Sequence, residues 1–168
     1  MLFRSQPPEA AGHTRLYLSG EQASEVRALF NRSRLDARIA EGPPYAASAV
    51  KMAYAAWTKG SSALLLAARA LARANGVERT LLAEWQLSQP NLTAQSERSA
   101  ASAAAKGWRW VAEMEEIAAS MGAAGLPDGF HQAAAEVYDR ASRADVPTGR
   151  RTATTAKETL DAIMSALL

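Results

Sequence analysis

An alanine-rich, helix-forming sequence fills the chain after Gly42-Pro43-Pro44, and this bias constrains the fold more than any other feature. Alanine is the strongest helix former, and the β-branched side chains that favour strands are sparse in this part of the chain. Glycine, asparagine and proline interrupt this helix-forming sequence at intervals that are typical of helix ends. The sequence predicts five helices, approximately over 44–75, 78–87, 91–119, 128–144 and 152–167.

The sequence before the Gly-Pro-Pro break predicts a small α/β unit. Residues 14–20 and 35–40 alternate apolar and polar side chains, as short strands do. A helix over 21–31 should lie between them, with Val26, Leu29 and Phe30 on its inner face. Proline restricts the preceding residue and lacks a backbone donor, so the break predicts a hinge. The predicted fold is mainly α: a flexible leader over 1–13, an α/β remnant over 14–41 and an all-helical domain over 42–168.

Composition excludes several classes of function. The 168 residues include no cysteine and two histidines, which excludes disulfides, thiolate catalysis, Cys-ligated zinc and His-rich metal sites. No apolar run reaches the length of a membrane span, and no signal peptide is visible, so a soluble cytoplasmic protein is predicted. The net charge is +2, and basic residues concentrate only at Arg140, Arg143, Arg150 and Arg151. Without aromatic interleaving or a binding motif, this cluster predicts a solvated surface rather than a nucleic-acid partner.

The long helix predicted after the hinge carries the most informative polar residues. It is apolar nearly all round, which is typical of the buried centre of a bundle. A polar stripe nevertheless recurs every three or four residues, at Ser48, Lys51, Tyr54, Thr58 and Ser62. A lysine in such a setting is costly unless it is paired or faces a cavity, where it can exchange protons. The alternative, which periodicity alone favours, is a lysine whose stem packs while its ammonium reaches water.

Two segments resemble a known enzyme family. GPPYAASAVK (42–51) resembles the link between the two domains of β-hydroxyacid dehydrogenases, the relatives of 6-phosphogluconate dehydrogenase. In that family a Gly/Ala-rich stretch ends in a general acid/base lysine, and a long all-α domain follows; Lys51 matches that lysine. KGWRWVAEMEEIAASMGAAGLPDG (106–129) resembles a second family segment, in which Lys106 matches a lysine near the substrate. Residues 14–40 resemble the end of the family's nucleotide-binding (Rossmann) domain.

The resemblance implies an NAD(P)-dependent oxidoreductase acting on a small hydroxy acid. Lys51 would exchange a proton with the substrate hydroxyl, and Lys106 would help to neutralise an acidic group of the substrate or orient the nicotinamide side. The side chains expected to line the substrate pocket are Ser48, Tyr54 and Thr58. Four positions depart from the family: Tyr45 and Ala47 replace two of its glycines, Tyr54 replaces an asparagine, and Gly107 replaces the aspartate after the second lysine.

The sequence contains no G-x-G-x-x-G and no G-x-G pair, so a dinucleotide pyrophosphate would find no glycine turn. NAD or NADP is therefore not expected to bind this chain alone, which resembles the back half of a two-domain enzyme. The resemblance also implies a homodimer through the helical domain, and we expect Trp85, Trp108 or Trp110 at that contact. The rival interpretation is a non-catalytic helical module for subunit association.

Three further features have plain structural interpretations. The run SAASAAA (99–105) predicts a tight packing face, because small side chains let helices approach closely. Glu113, Glu115 and Glu116 predict a solvated face, since no histidine supports a metal site. We expect His131 to be a surface histidine or a helix-end histidine with its hydrogen bonds satisfied. We expect Trp57 to be a core residue or a subunit-contact residue.

Overall fold

The computed structural model describes residues 10, 12, 14–146 and 153–168 of the chain. These residues form two β-strands and six α-helices, which confirms the mainly α fold. In chain order the elements are β1 (Thr14–Leu18), α1 (Ala23–Ala28), β2 (Leu35–Ile39), α2 (Ala46–Ala74), α3 (Glu78–Ser88), α4 (Leu92–Ala123), α5 (Gly129–Ser142) and α6 (Ala153–Leu167). The leader predicted over 1–13 lies almost wholly outside the described residues, as do Arg150 and Arg151. Within the described part, no helix is both long and apolar enough to cross a bilayer.

The chain divides into two compact units, Met1–Tyr54 and Ala55–Leu168. In the first unit β1 and β2 pair in parallel, with Thr14 opposite Leu35 and Leu18 opposite Ile39. Parallel strands need a crossover connection, and the short helix α1 lies within it.

The helix α1 is shorter than the predicted 21–31. It begins after a turn in which Gly20 has a φ of 102°, and it ends before a turn at Ser33. The Ser33 hydroxyl donates to the Phe30 carbonyl and accepts from the Leu35 amide, so the chain turns directly into β2. The prediction that Leu29 packs inward is wrong, because its side chain is 80% exposed.

The second unit packs its helices through small side chains. Ala100 and Ala103 on α4 are fully buried, which confirms the tight packing face predicted over 99–105. Gly107, one turn farther along α4, lies so close to α5 that an added Cβ would stand 3.3 Å from the Tyr138 carbonyl oxygen. The largest fully buried side chains of this unit are Leu66, Met114, Ile117, Tyr138, Ile163 and Met164. The prediction that α4 ends near residue 119 is wrong, since the helix continues through Gly122 to Ala123.

The prediction that α2 is the buried centre of a bundle is wrong for one side of the helix. Leu65 and Leu66 are buried, but large apolar side chains on another face are exposed within this chain. They recur every seven residues and comprise Val50, Trp57, Leu64 and Leu71, with exposures of 41%, 74%, 67% and 65%. We call these four side chains the α2 seam. The sequence of α2 is apolar on nearly every side, so composition alone could not show which side packs in the core and which side a partner could cover.

A buried polar cluster joins four helices of the second unit. Arg69 is 4% exposed and donates to Glu78 Oε1 at 2.8 Å and to Ser96 Oγ at 2.6 Å. Arg73 donates to both oxygens of Glu78 and, at 2.9 Å, to Asp161 Oδ1. We call these five residues the Glu78 network. The hydrogen bonds from Arg73, helped by those from Arg69, hold the pKa of Glu78 below its usual 4.5 against the opposing effect of burial.

Replacing Glu78 by glutamine should lower the free energy of unfolding by about 3 kcal/mol, because the buried Arg69 guanidinium loses its counter-charge. The folded-state pKa of Glu78 is depressed, so this stability is present above pH 4.5 and is lost as the pH falls through the folded value. Urea unfolding across that range measures both effects. The control is Glu136→Gln at the exposed Glu136–Arg140 pair, which should cost under about 0.5 kcal/mol. Equal losses in the two variants would contradict the assigned role of the network.

Candidate functional site

The start of α2 is tied to the end of β1 by one serine. Ser19 Oγ donates to the Pro44 carbonyl at 2.8 Å and accepts from the Ala47 amide at 3.1 Å. The first amides of a helix have no partner within the helix, so this acceptor stabilises the helix start. Gly42 has a φ of 127°, a conformation that other residues rarely adopt, and it turns the chain into Pro43.

Lys51 follows Ala47 by one helical turn and is half-buried. Of the other residues predicted near it, Ser48 and Tyr54 are exposed, Tyr54 at 71%. These three residues belong to the first compact unit. That Lys51 acts as a general acid/base stays a prediction.

Two turns farther along α2, in the second unit, the polar stripe reaches a cavity. Thr58 and Ser62 line this cavity of about 260 Å³, together with residues from α4 and α5. Its remaining lining residues are Lys59, Gln95, Arg98, Ser99, Ser102, Trp110 and Tyr138. We call this space the polar cavity. Arg98 and Ser102 are exposed, so the cavity opens to solvent on the α4 side.

The polar cavity lies between two sets of contacts that join α2 to α4. At one end Arg69 bonds Ser96, and at the other Lys59 pairs with Glu113. The two helices therefore run antiparallel. Between these contacts the residues that face each other are short, notably Ser62, Ser99 and Ser102, and side chains of this size do not fill the gap. The cavity thus follows from short side chains flanked by long paired ones.

Lys59 and Tyr138 build the closed end of the cavity. The Lys59 ammonium lies 5.6 Å from the centre of the Trp110 ring, a cation–π distance. Trp110 meets Tyr138 edge to face, with ring centres 5.0 Å apart. The Tyr138 hydroxyl donates to the Lys59 carbonyl at 2.7 Å. Burial, with a smaller contribution from the Glu113 charge, raises the pKa of Tyr138 well above its ordinary value of 10.0 and keeps the phenol neutral.

Lys106 is exposed on α4. It follows Ser102 by four residues and precedes Trp110 by four, so helical geometry places it on the face that lines the polar cavity. Gly107 replaces the family's aspartate at a place where Tyr138 leaves little room for any side chain. Of the residues predicted at the site, Thr58 lines the polar cavity and Lys106 is not among its lining residues, whereas Ser48, Lys51 and Tyr54 lie farther upstream on α2.

Sequence reasoning missed Lys59, Arg98 and Tyr138. A signal for Arg98 existed, because it recurs with Gln95, Ser99 and Ser102 at spacings of three or four, which is one helical face. Lys59 and Tyr138 carried no comparable signal, since their meeting depends on how α5 packs against α2. Glu113 was predicted to be solvated, but it is half-buried and paired with Lys59, whereas Glu115 and Glu116 are exposed.

His131 is buried rather than on the surface, and it connects α5 to α2. Its Nε2 lies 3.1 Å from the Ala56 carbonyl oxygen, and its Nδ1 has no hydrogen-bond partner among the described residues. Gly60 makes room for the ring, because a Cβ there would stand 3.0 Å from Nε2. The ring also lines an apolar groove of about 590 Å³, bordered by Trp57, Leu64 and Phe130.

Comparisons with known proteins agree with this architecture. Residues 72–141 match a protein family described as a domain of unknown function, DUF1932. The crystal structure of a conserved hypothetical protein from Sinorhizobium meliloti 1021 is similar, with a TM-score of 0.76 and 24% identity over 90% of this chain and 52% of that one. No curated protein matches the sequence. The chain thus shares the fold of that neighbour and spans about half of its length.

Replacing Tyr138 by phenylalanine should remove the bond to the Lys59 carbonyl and lower the free energy of unfolding by about 1 kcal/mol at neutral pH. The difference should shrink as the pH rises through 10.0, because only the unfolded wild-type chain then gains by ionising this phenol. Denaturant unfolding of both proteins at neutral and alkaline pH measures the difference. A difference that stays constant with pH would contradict the raised pKa of Tyr138.

Proposed function

We propose that this chain is the substrate-binding and dimerisation part of an NAD(P)-dependent oxidoreductase that acts on a small hydroxy acid. The observation that carries the proposal is the position of Lys51. It is a half-buried lysine in the second turn of a long helix, directly after a parallel strand pair and a Gly-Pro-Pro link. This is the order of elements that the resemblance to β-hydroxyacid dehydrogenases leads one to expect. A solved neighbour of about twice the length is consistent with a further domain in the intact enzyme.

In this proposal Lys51 is the general acid/base. Its amine takes the proton from the substrate hydroxyl during oxidation and returns it during reduction. Ser19 fixes the start of α2 and thereby the position of the lysine. Lys106 neutralises the acidic group of the substrate, and Thr58 donates or accepts a hydrogen bond at the pocket wall. Ser48 and Tyr54 are the other side chains that we assign to substrate binding, Tyr54 with a phenol where the resembling family has an amide.

The described residues do not fit a dinucleotide by themselves. The turn after β1 contains a single glycine, Gly20, and the helix that follows it has six residues. A dinucleotide site of the Rossmann type needs several glycines at this turn and a helix whose N-terminus meets the pyrophosphate. In this proposal the nicotinamide cofactor would therefore be held by a region outside this chain.

Lys51→Met in a form of the protein that includes the upstream dinucleotide-binding region should lower kcat about 10²- to 10⁴-fold, because it removes the proton acceptor. A panel of small hydroxy acids with NAD⁺ or NADP⁺, followed by nicotinamide absorbance, provides the assay. Lys157→Met is the matched control, since Lys157 is exposed on α6. Full activity of the Lys51 variant, or an upstream region without a glycine-rich dinucleotide fold, would contradict the proposal.

The α2 seam supports the second candidate function, a helical module for subunit association. Apolar side chains that recur every seven residues are typical of two helices that pair with each other. An exposed apolar surface of this kind indicates a site of contact with an apolar partner. No lining residue of the adjacent apolar groove carries a formal charge. The groove has a floor of small residues, among them Gly60 and Ala63, beside the projecting Trp57 and Phe130. Such a surface can complement itself, so we assign its occupant as α2 of a second copy in a two-fold dimer.

The same surface revises which tryptophan we expect at the contact. Trp85 is buried inside the chain, and Trp110 packs on Tyr138 within it. Trp108 and Trp57 are exposed at 68% and 74%. Because Trp57 belongs to the α2 seam, we propose it as the aromatic anchor of the dimer.

Leu64→Glu should convert the dimer to a monomer, because it buries a charge in the middle of the α2 seam. Light scattering coupled to size-exclusion chromatography measures the mass, and the monomer mass is 17.9 kDa. Leu87→Glu is the matched control, since Leu87 is 83% exposed on α3 outside the seam. A monomeric wild-type chain, or dissociation caused equally by both variants, would rule out this interface.

A further inference from the structure

The polar cavity carries an excess of hydrogen-bond donors without partners. Gln95, Arg98, Ser99 and Ser102 form one face of α4 and line the cavity. None of these four side chains makes a hydrogen bond or ion pair with another described residue. Ser99 is only 7% exposed, so its hydroxyl is held in the wall of the cavity rather than in bulk water. These side chains are accessible from the cavity, so they can form hydrogen bonds with a ligand or with water there.

The charge of the lining is positive. Two of the nine lining residues, Lys59 and Arg98, are cations, and none is acidic. Glu113, outside the lining, pairs with Lys59 and offsets part of its charge, whereas no described carboxylate pairs with Arg98. The Tyr138 phenol stays neutral because burial raises its pKa, so it adds no negative charge. A guanidinium flanked by hydroxyl and amide donors matches the two or more oxygens of an oxyanion.

We propose that the polar cavity binds a small oxyanion, a carboxylate or phosphate group of a metabolite, with Arg98 as its charged partner. Ser99, Ser102 and Gln95 donate hydrogen bonds to the oxygens. Lys59 contributes a second positive charge, which its ion pair with Glu113 partly neutralises. The volume of about 260 Å³ is far larger than the ~30 Å³ that a water occupies, so the group can carry several further atoms. Thr58 lines this cavity and is also assigned to the proposed substrate pocket, but oxyanion binding here requires neither Lys51 nor a nicotinamide cofactor, so its test does not depend on the proposed oxidoreductase activity.

Calorimetric titration of the full 168-residue chain with sodium phosphate and with sodium malonate tests the site, with sodium chloride at matched ionic strength as the reference. Saturable binding of either oxyanion above chloride is expected, and the two arms distinguish a phosphate from a carboxylate ligand. Arg98→Gln should weaken binding at least about tenfold. Arg98 is exposed, so this variant should keep its fold, which circular dichroism verifies.

Two further variants separate this site from general surface charge. Arg109→Gln removes an equal charge from an exposed position on α4 outside the cavity lining and should leave the affinity unchanged. Glu113→Gln releases Lys59 from its counter-charge and should tighten binding by about two- to fivefold. The proposal is overturned if the wild-type chain shows no saturable binding, or if Arg98→Gln binds as well as wild type. Equal losses in the Arg98 and Arg109 variants, or weaker binding in a folded Glu113 variant, would also overturn it.

Discussion

The antiparallel contact between α2 and α4 is the constraint on which the rest of the helical unit depends. It is held at two points by charged side chains, the buried Arg69 in the Glu78 network and the half-buried Lys59 with Glu113. Buried charges of this kind add little net stability when they are paired, but losing one partner is strongly destabilising. Together the two contacts join α2 to α4 at points ten residues apart on α2, from Lys59 to Arg69, in the antiparallel direction.

Two functional surfaces follow from this arrangement of α2. Thr58 and Ser62 lie on the side of the helix that faces α4, and they line the polar cavity. The cavity exists because the side chains between the two contacts are too short to close the gap. Another side leaves Trp57 and Leu64 exposed at a spacing of seven. One helix thus supplies a wall of the polar cavity and the α2 seam, the surface that we propose for a second copy, and its second turn carries the lysine proposed for catalysis.

Local sequence signals predicted the helices well and picked out two of the residues that line the polar cavity. The start of α2 follows from Pro43-Pro44, and its end from Asn75-Gly76, where Gly76 has a φ of 71°. The predicted end of α4 is wrong because the prediction treats Gly122 as a helix terminator. Glycine is tolerated inside a long helix at a modest cost in helix stability, and α4 continues through it. Thr58 and Ser62 were found because polar residues on an apolar helix stand out. Lys59 and Tyr138 were not, since they are 79 residues apart and meet only through tertiary packing.

The most direct test of this account is the side-chain Nε–H resonance of Arg98, followed by NMR through a phosphate titration of the full chain. The account predicts a saturable shift of this resonance at constant ionic strength, accompanied by shifts of the Ser99 and Ser102 amides, while the Arg109 resonance stays in place. An Arg98 resonance that moves only with ionic strength, in parallel with Arg109, would contradict the claim that the gap between α2 and α4 is a ligand site.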